Sequence, residues 1–280
     1  MSTPSAAALP DPHASRAVLI AAHYRSQRGV PKIAAGAREL AGLLRDERVW
    51  GLPAGNCALL EDPDTADEVV GAIGSAARGV GRGGRLLVYF AGHGHRDAEG
   101  GLCLGVRHTD PRDLPSSALR VDSIGLPVGN DDVVVLDCSY AGSARRVATA
   151  GAILGATGAD RRVATFPDGS PHTAFTDALL DVLRSGVVGG GDLLDARMIH
   201  DAISANLAKL PVPRPFLHLA GDRGLRPVVR NAAAGGSRGP RADSARLSDG
   251  WSRPGARRDP AAGVRDLLLR YDGRAVAELT

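Results

Sequence analysis

Aromatic side chains are scarce in this chain: Phe, Trp and Tyr make up 4% of its 280 residues. The core therefore has to be assembled mostly from Ala, Val, Leu and Ile. Cysteine is scarce too. Cys57, Cys103 and Cys138 lie in or beside apolar runs, an odd number without framework spacing. That argues against a disulfide scaffold and for a reducing compartment. No apolar run approaches the ~18 residues of a membrane span, so no membrane association is expected. Residues 1–16 are rich in Ala, Pro and Ser but lack a basic start and an unbroken apolar stretch. They read as a flexible tail rather than a signal peptide, and the expected location is the cytoplasm. A strong excess of one charge sign is also missing. The net charge of +3 is too small to argue for a nucleic-acid partner, and nearly all of the cations are arginine.

What is present is an alternation of apolar runs and amphipathic helical stripes. Strands are expected at Ala17 to Ala22, Cys57 to Leu60, Arg85 to Ala91, Val133 to Asp137, Ala152 to Ala156 and Phe216 to Leu219. Between them, helices are expected from Ile33 to Leu44, after Thr65, after Ser170-Pro171 and from Asp195 to Leu210. Thr65 with Glu68 three residues on forms a capping-box pattern, and Gly79 and Gly186 mark helix ends. Gly101 to Val106 reads as a short hairpin arm and Ala118 to Leu126 as a short helix. Such alternation predicts an α/β fold, a mainly parallel six-stranded sheet with helices on both faces, over residues 17–230. Residues 231–263, rich in Gly, Ala, Ser, Pro and Arg without periodicity, read as a flexible linker. The apolar pattern returns in 264–280, as a docking segment for a partner protein or the beginning of a further module.

Two strand-to-loop junctions carry the chemistry. Leu86-Leu87-Val88-Tyr89-Phe90-Ala91-Gly92-His93-Gly94 sets an imidazole between glycines just past one strand. Val133-Val134-Val135-Leu136-Asp137-Cys138-Ser139-Tyr140-Ala141-Gly142 sets a Cys-Ser pair past another. In open parallel sheets, chemistry gathers at the carboxyl ends of strands. A thiol or hydroxyl one strand end away from His93 could use it as a proton shuttle. The separation, 139 − 93 = 46 residues, is close to the roughly 50 between histidine and nucleophile in caspases.

The two motifs, "YFAGHG" and "LDCSYAG", resemble those of the caspase-like (clan CD) cysteine peptidases, above all the bacterial metacaspase-type branch with its Asp-x-Cys-x-x-Gly signature. The resemblance extends to the order of elements and to the late strand in "PRPFLHLAG". It implies that His93 is the catalytic histidine and that Gly94 and residue 139 supply oxyanion-hole N–H groups. It implies that Asp137 lines a pocket for a basic P1 side chain, and that the substrate is a protein or peptide cut after Arg or Lys. Ser139 stands where that family has its catalytic cysteine. A serine hydroxyl needs far stronger base assistance than a thiol. The chain is thus either a naturally inactive relative or a form in which serine replaced cysteine, and the intact surroundings favour the replacement. The resemblance further implies a triggered effector in bacterial stress or phage defence. The rival reading is a pseudoprotease that binds peptides or proteins without cutting them.

Other signals are demoted. Cys138 reads as a small buried hydrophobe. Gly79 to Gly84 matches GxGxxG but follows a helix and precedes a strand, the reverse of a dinucleotide fingerprint. His93, His95, Cys103 and His108 have irregular spacing for zinc. No cofactor is expected. Some metacaspases need calcium, but the acidic stretch Asp110 to Asp113 reads as a solvated loop. His23 and Tyr24 border the crevice without an assigned role, and Ala37 falls where relatives place a second pocket acid.

Overall fold

In a computed structural model of the chain, the described residues are 8–23, 31–126, 131–147, 150–162 and 172–237. In chain order they form β1 (Arg16–Ala21), α1 (Pro31–Arg45), β2 (Cys57–Glu61), α2 (Ala66–Arg78) and β3 (Leu86–Ala91). Next come β4 (Gly94–Arg96), β5 (Leu102–Leu104), α3 (Leu114–Ser117), β6 (Leu119–Arg120), β7 (Val133–Asp137) and β8 (Ala152–Gly155). The last elements are α4 (Ala174–Ser185), β9 (Leu193–Asp195), α5 (Ala196–Leu207), β10 (Phe216–Leu219) and β11 (Pro227–Arg230).

Six strands build the main sheet in the order β10-β8-β7-β3-β1-β2. All neighbours run parallel except β10, which is antiparallel to β8. Strand alternation sends Leu87, Tyr89 and Ala91 of β3 into the layer of α1, α4 and α5. Leu86, Val88 and Phe90 go to the opposite layer, with Val69 and Ile73 of α2. A fully parallel strand must be apolar on both faces, and all six residues of β3 are buried. The chain steps from β1 out to β2, then returns to place β3 on the other side of β1. The order therefore reverses between β1 and β3, and a crevice opens at their carboxyl ends.

Several sequence expectations shift in detail. Thr65 caps α2 by accepting from Glu68 N–H at 3.3 Å, but the Glu68 carboxylate reaches the Asp64 N–H instead of closing the box on Thr65. Ser170-Pro171 lies outside the described residues; α4 begins at Ala174 with Thr173 as its cap. Asp195 caps α5, which ends at Leu207 rather than Leu210. Ala118 to Leu126 contains β6 and a 3-10 turn instead of an α-helix. The hairpin arm does form: β5 pairs with β4 and β6 in a small antiparallel sheet. Phe216 to Leu219 is not the last strand, because β11 follows and pairs with β9.

Packing also extends beyond the boundaries read from composition. Pro10 is buried, its carbonyl accepting from the fully buried Trp50 indole at 3.1 Å. Asn231 is buried as well, and its amide bonds Val187 and Gly191 carbonyls at 2.9 and 2.8 Å. Residues 238–280, with the rest of the linker and the docking segment, lie outside the described residues.

The interior is not filled everywhere. A cavity of about 30 Å³ lies between the sheet and the helical layer, lined by apolar side chains including Leu40, Leu87, Val135 and Leu183. One added methyl group fits that space. Val135→Ile is expected to raise stability by about 1 kcal/mol, the transfer value of one buried methylene. Urea unfolding midpoints test this, and a lowered midpoint would show that the void is too narrow for the group.

Candidate active site

Backbone bonds set three strand ends level. Ala22 N–H donates to the Ala91 carbonyl at 3.0 Å, and Gly92 N–H donates to the Asp137 carbonyl at 3.2 Å. His23, His93 and Ser139 thus leave the neighbouring strands β1, β3 and β7 on one rim. The glycines flanking His93 allow this. A Cβ on Gly92 would meet the Ala22 carbonyl oxygen at 2.6 Å and the Phe90 ring at 2.9 Å. A Cβ on Gly94 would overlap the Ser139 carbonyl oxygen and come within 3.1 Å of Cys138 Sγ. The histidine strand and the Ser139 loop therefore touch through bare backbone.

The backbone pairing also fixes which way the Gly94 N–H points. Gly105 N–H bonds the His93 carbonyl at 2.8 Å, and Gly94 pairs with Leu104. This is the non-hydrogen-bonded pair of an antiparallel ladder, so the Gly94 N–H turns away from β5. On the other side, Tyr140 takes a left-handed conformation (φ 61°), uncommon for a large residue. It is pinned there by its N–H on the Arg161 carbonyl and its hydroxyl accepting from Arg162 Nε, both at 2.8 Å. Thr157, just beyond β8, donates its hydroxyl to the Cys138 carbonyl and accepts from Ala141 N–H, each at 3.2 Å. The loop after β7 is held from both ends around a half-buried Ser139.

Burial favours the neutral form of both Cys138 and His93. Cys138 is fully buried, and burial, with the Asp137 charge adding to it, pushes its thiol far up. It cannot serve as a thiolate, in keeping with its reading as a small hydrophobe. His93 is half-buried; burial, and secondarily the His23 ring, push its imidazole below the ordinary histidine value. A neutral imidazole that can accept a proton at neutral pH is the result. His95 on β4 is pushed down similarly by burial and then by Arg162.

Asp137 ends β7 with its carboxylate 3% exposed. One oxygen accepts the Thr173 hydroxyl and, at 2.5 Å, the Thr176 hydroxyl, which in turn takes a bond from Tyr89 OH at 2.6 Å. The other oxygen is buried with no hydrogen-bond partner among the described residues. Burial pushes the Asp137 carboxyl above its ordinary range, against the pull of the threonine bonds. Ala37, where a second acid was sought, is fully buried in the core; Gly36 is the α1 residue that packs on Thr176.

Sequence reasoning missed two polar constructions. His23 Nδ1 and backbone N–H both meet the Asp62 carboxylate just past β2, the latter at 3.1 Å. His172, buried, has Nε2 at 2.8 Å from Glu39 and Nδ1 at 3.2 Å from Asp177, tying α1 to α4. The strand-end position of His23 was the available signal for the first; no spacing signalled the second. Of the histidine and cysteine group weighed for zinc, His95 and Cys103 pair across β4 and β5, whereas His108 turns to Asp64 at 3.4 Å. Among the described residues no group of three or more His, Cys, Asp or Glu is placed to hold a metal ion, and no helix is long and apolar enough to cross a membrane.

No protein-family model matches the chain. No curated protein matches it either. Solved structures do. Caspase-1 from Spodoptera frugiperda superposes with a TM-score of 0.54 at 12% identity, covering 78% of this chain and 92% of that one. A structural-genomics target protein from Geobacter sulfurreducens superposes with a TM-score of 0.53 at 17% identity, covering 76% and 97%. The fold is caspase-like: a central, mostly parallel six-stranded sheet flanked by helices.

Two outcomes are expected. Thr176→Val removes a hydrogen bond to a buried carboxylate and strands the Tyr89 hydroxyl, so it should destabilise by about 1.5–3 kcal/mol; an unchanged urea midpoint would contradict the network. For Asp137 the folded value lies above the unfolded one, so the folded state holds the extra proton between them and stability falls as pH rises through that window. Asp137→Asn should therefore be more stable than the parent at neutral pH, with the gap closing in acid. A gap independent of pH would refute the assignment.

Proposed function

We propose that the crevice is a peptidase site of caspase type, and that with cysteine at position 139 the chain hydrolyses peptide bonds after a basic residue. The observation that carries this reading is the bare-backbone contact of Gly94 with the Ser139 loop, which sets the His93 strand end against the nucleophile position. A cysteine sulfur there would add to the substrate carbonyl carbon while its proton passes to His93. The Gly94 and residue 139 N–H groups would hold the oxyanion. On collapse the C–N bond breaks, His93 returns the proton to the leaving amine, and water then cleaves the thioester.

The partnerless oxygen of Asp137 supports the basic P1 preference. A guanidinium brought against it would supply hydrogen bonds and charge to a carboxylate that burial disfavours, a geometry that suits Arg over Lys. The substrate in this reading is a partner protein cut at few positions, in a triggered stress or phage-defence response; only the motif resemblance supports that role. Two observations favour narrower readings. Ser139 itself favours a pseudoprotease that holds peptides uncut. The threonine bonds to Asp137 favour a carboxylate that anchors the start of α4.

Activity on fluorogenic peptides ending in Arg, Lys or Asp separates these. The chain as given should be silent, and Ser139→Cys should cut the Arg peptide. Adding His93→Ala should lower that rate by at least ~10², the lower range for general acid–base catalysis. Equal activity with serine, or cleavage after Asp, would overturn the proposal. Unchanged Arg cleavage in Ser139→Cys/Asp137→Asn would reduce Asp137 to an anchor.

A further inference from the structure

The crevice contains a second imidazole that the scheme above leaves idle. The reversal of strand order lies between β1 and β3, so the crevice opens where His23 and His93 emerge. β1 and β3 are in register to their last residues, Ala21 opposite Ala91, and Ala22 N–H continues the ladder onto the Ala91 carbonyl. The Ala22 carbonyl lies directly against Gly92. The two histidines are thus each the second residue beyond a paired alanine.

His23 is not held as a surface side chain. Its side chain is 11% exposed, and Nδ1 meets the carboxylate of Asp62, which leaves β2 on the far side of β1. Asp62 adopts a left-handed backbone (φ 50°) to do so, secured by its own N–H on the Ala21 carbonyl at 2.7 Å. A non-glycine residue there costs on the order of 1 kcal/mol, so the bonds it makes must offset that. The same oxygen, Oδ1, that caps the His23 N–H also meets Nδ1, so it fixes the ring as Nδ1–H and turns Nε2 the other way.

We infer that Asp62 and His23 are a positioning pair behind His93, holding its imidazole at the Ser139 loop as a proton acceptor. The inference rests on His93 as the proton carrier of the proposed reaction. The carboxylate stands one strand further off, and works through a second ring. The titratable groups at this rim are His23 beyond β1, Asp62 beyond β2, His95 on β4, and Asp137 and Cys138 at β7. Burial lowers the His93 value most, and His23 adds to it by opposing a second positive charge nearby.

The test is histidine NMR on the full chain as given, His23→Gln and Asp62→Gly, with pH titration of each ring and ¹⁵N shifts to read tautomers; glycine removes the acceptor and suits the left-handed backbone. The expected results are a His93 titration that moves to higher pH in His23→Gln, and a His23 Nδ1–H tautomer that is lost in Asp62→Gly. A local anchor for the β1 loop would leave the His93 titration where it is. An unmoved His93 curve in folded His23→Gln therefore overturns the inference, as does a His23 tautomer indifferent to Asp62→Gly. In the Ser139→Cys background, His23→Gln should lower kcat by about tenfold with KM little changed, and move the acid limb of the pH profile up. If Ser139→Cys cuts no peptide, the peptidase reading fails, while the NMR result still decides whether His23 governs His93.

Discussion

The contact on which the site depends is the one between Gly94 and the backbone of Ser139. Parallel pairing of β3 with β7 brings two strand ends side by side, but pairing alone leaves room for loops to diverge. Here nothing larger than a hydrogen fits between Gly94 and the Ser139 carbonyl. The Gly92 N–H on the Asp137 carbonyl closes the same seam one step earlier. Tyr140 and Thr157 then hold the far side of the loop. The result is a His93 strand end and a Ser139 loop whose separation is set by main chain rather than by mobile side chains, the kind of preorganisation that the proposed reaction would need.

Around that seam the sheet sorts its polar groups by face. Alternation sends Asp137 toward α1 and α4, where two threonine hydroxyls receive it, and sends Cys138 into the opposite layer, where it is sealed. Adjacent residues therefore end in different settings: one a buried carboxylate held by hydroxyls, the other a buried thiol. Position 139, past the strand, is the first residue freed from its alternation, whereas Cys138 is sealed in the layer behind it.

Much of this was readable in the sequence, and the reasons differ by element. The six sheet strands announce themselves because central parallel strands need unbroken apolar runs, as in Leu86 to Ala91 and Val133 to Leu136. The two junctions stand out because a polar residue between glycines ends such a run abruptly. What the sequence hid was contact made at a distance. Thr173 and Thr176 look like helix-start residues until Asp137, 36 and 39 residues earlier, is set beside them. Asp62 looks like a loop acid until strand order places β2 next to β1. β9 escaped because it ends on Asp195, the cap of α5, so its three residues run straight into that helix and show no pattern of their own.

In the proposed site, residue 139 would be the nucleophile and the buried Cys138 would take no part. The most direct measurement is intact and peptide mass spectrometry of the Ser139→Cys chain after exposure to an arginine chloromethyl ketone, in which a thiolate displaces chloride to form a thioether. One adduct is expected, on residue 139, lost when His93→Ala is added and absent from the chain as given. Alkylation of Cys138 instead, or an adduct at 139 that is indifferent both to His93 and to replacing arginine by aspartate in the probe, would contradict the account.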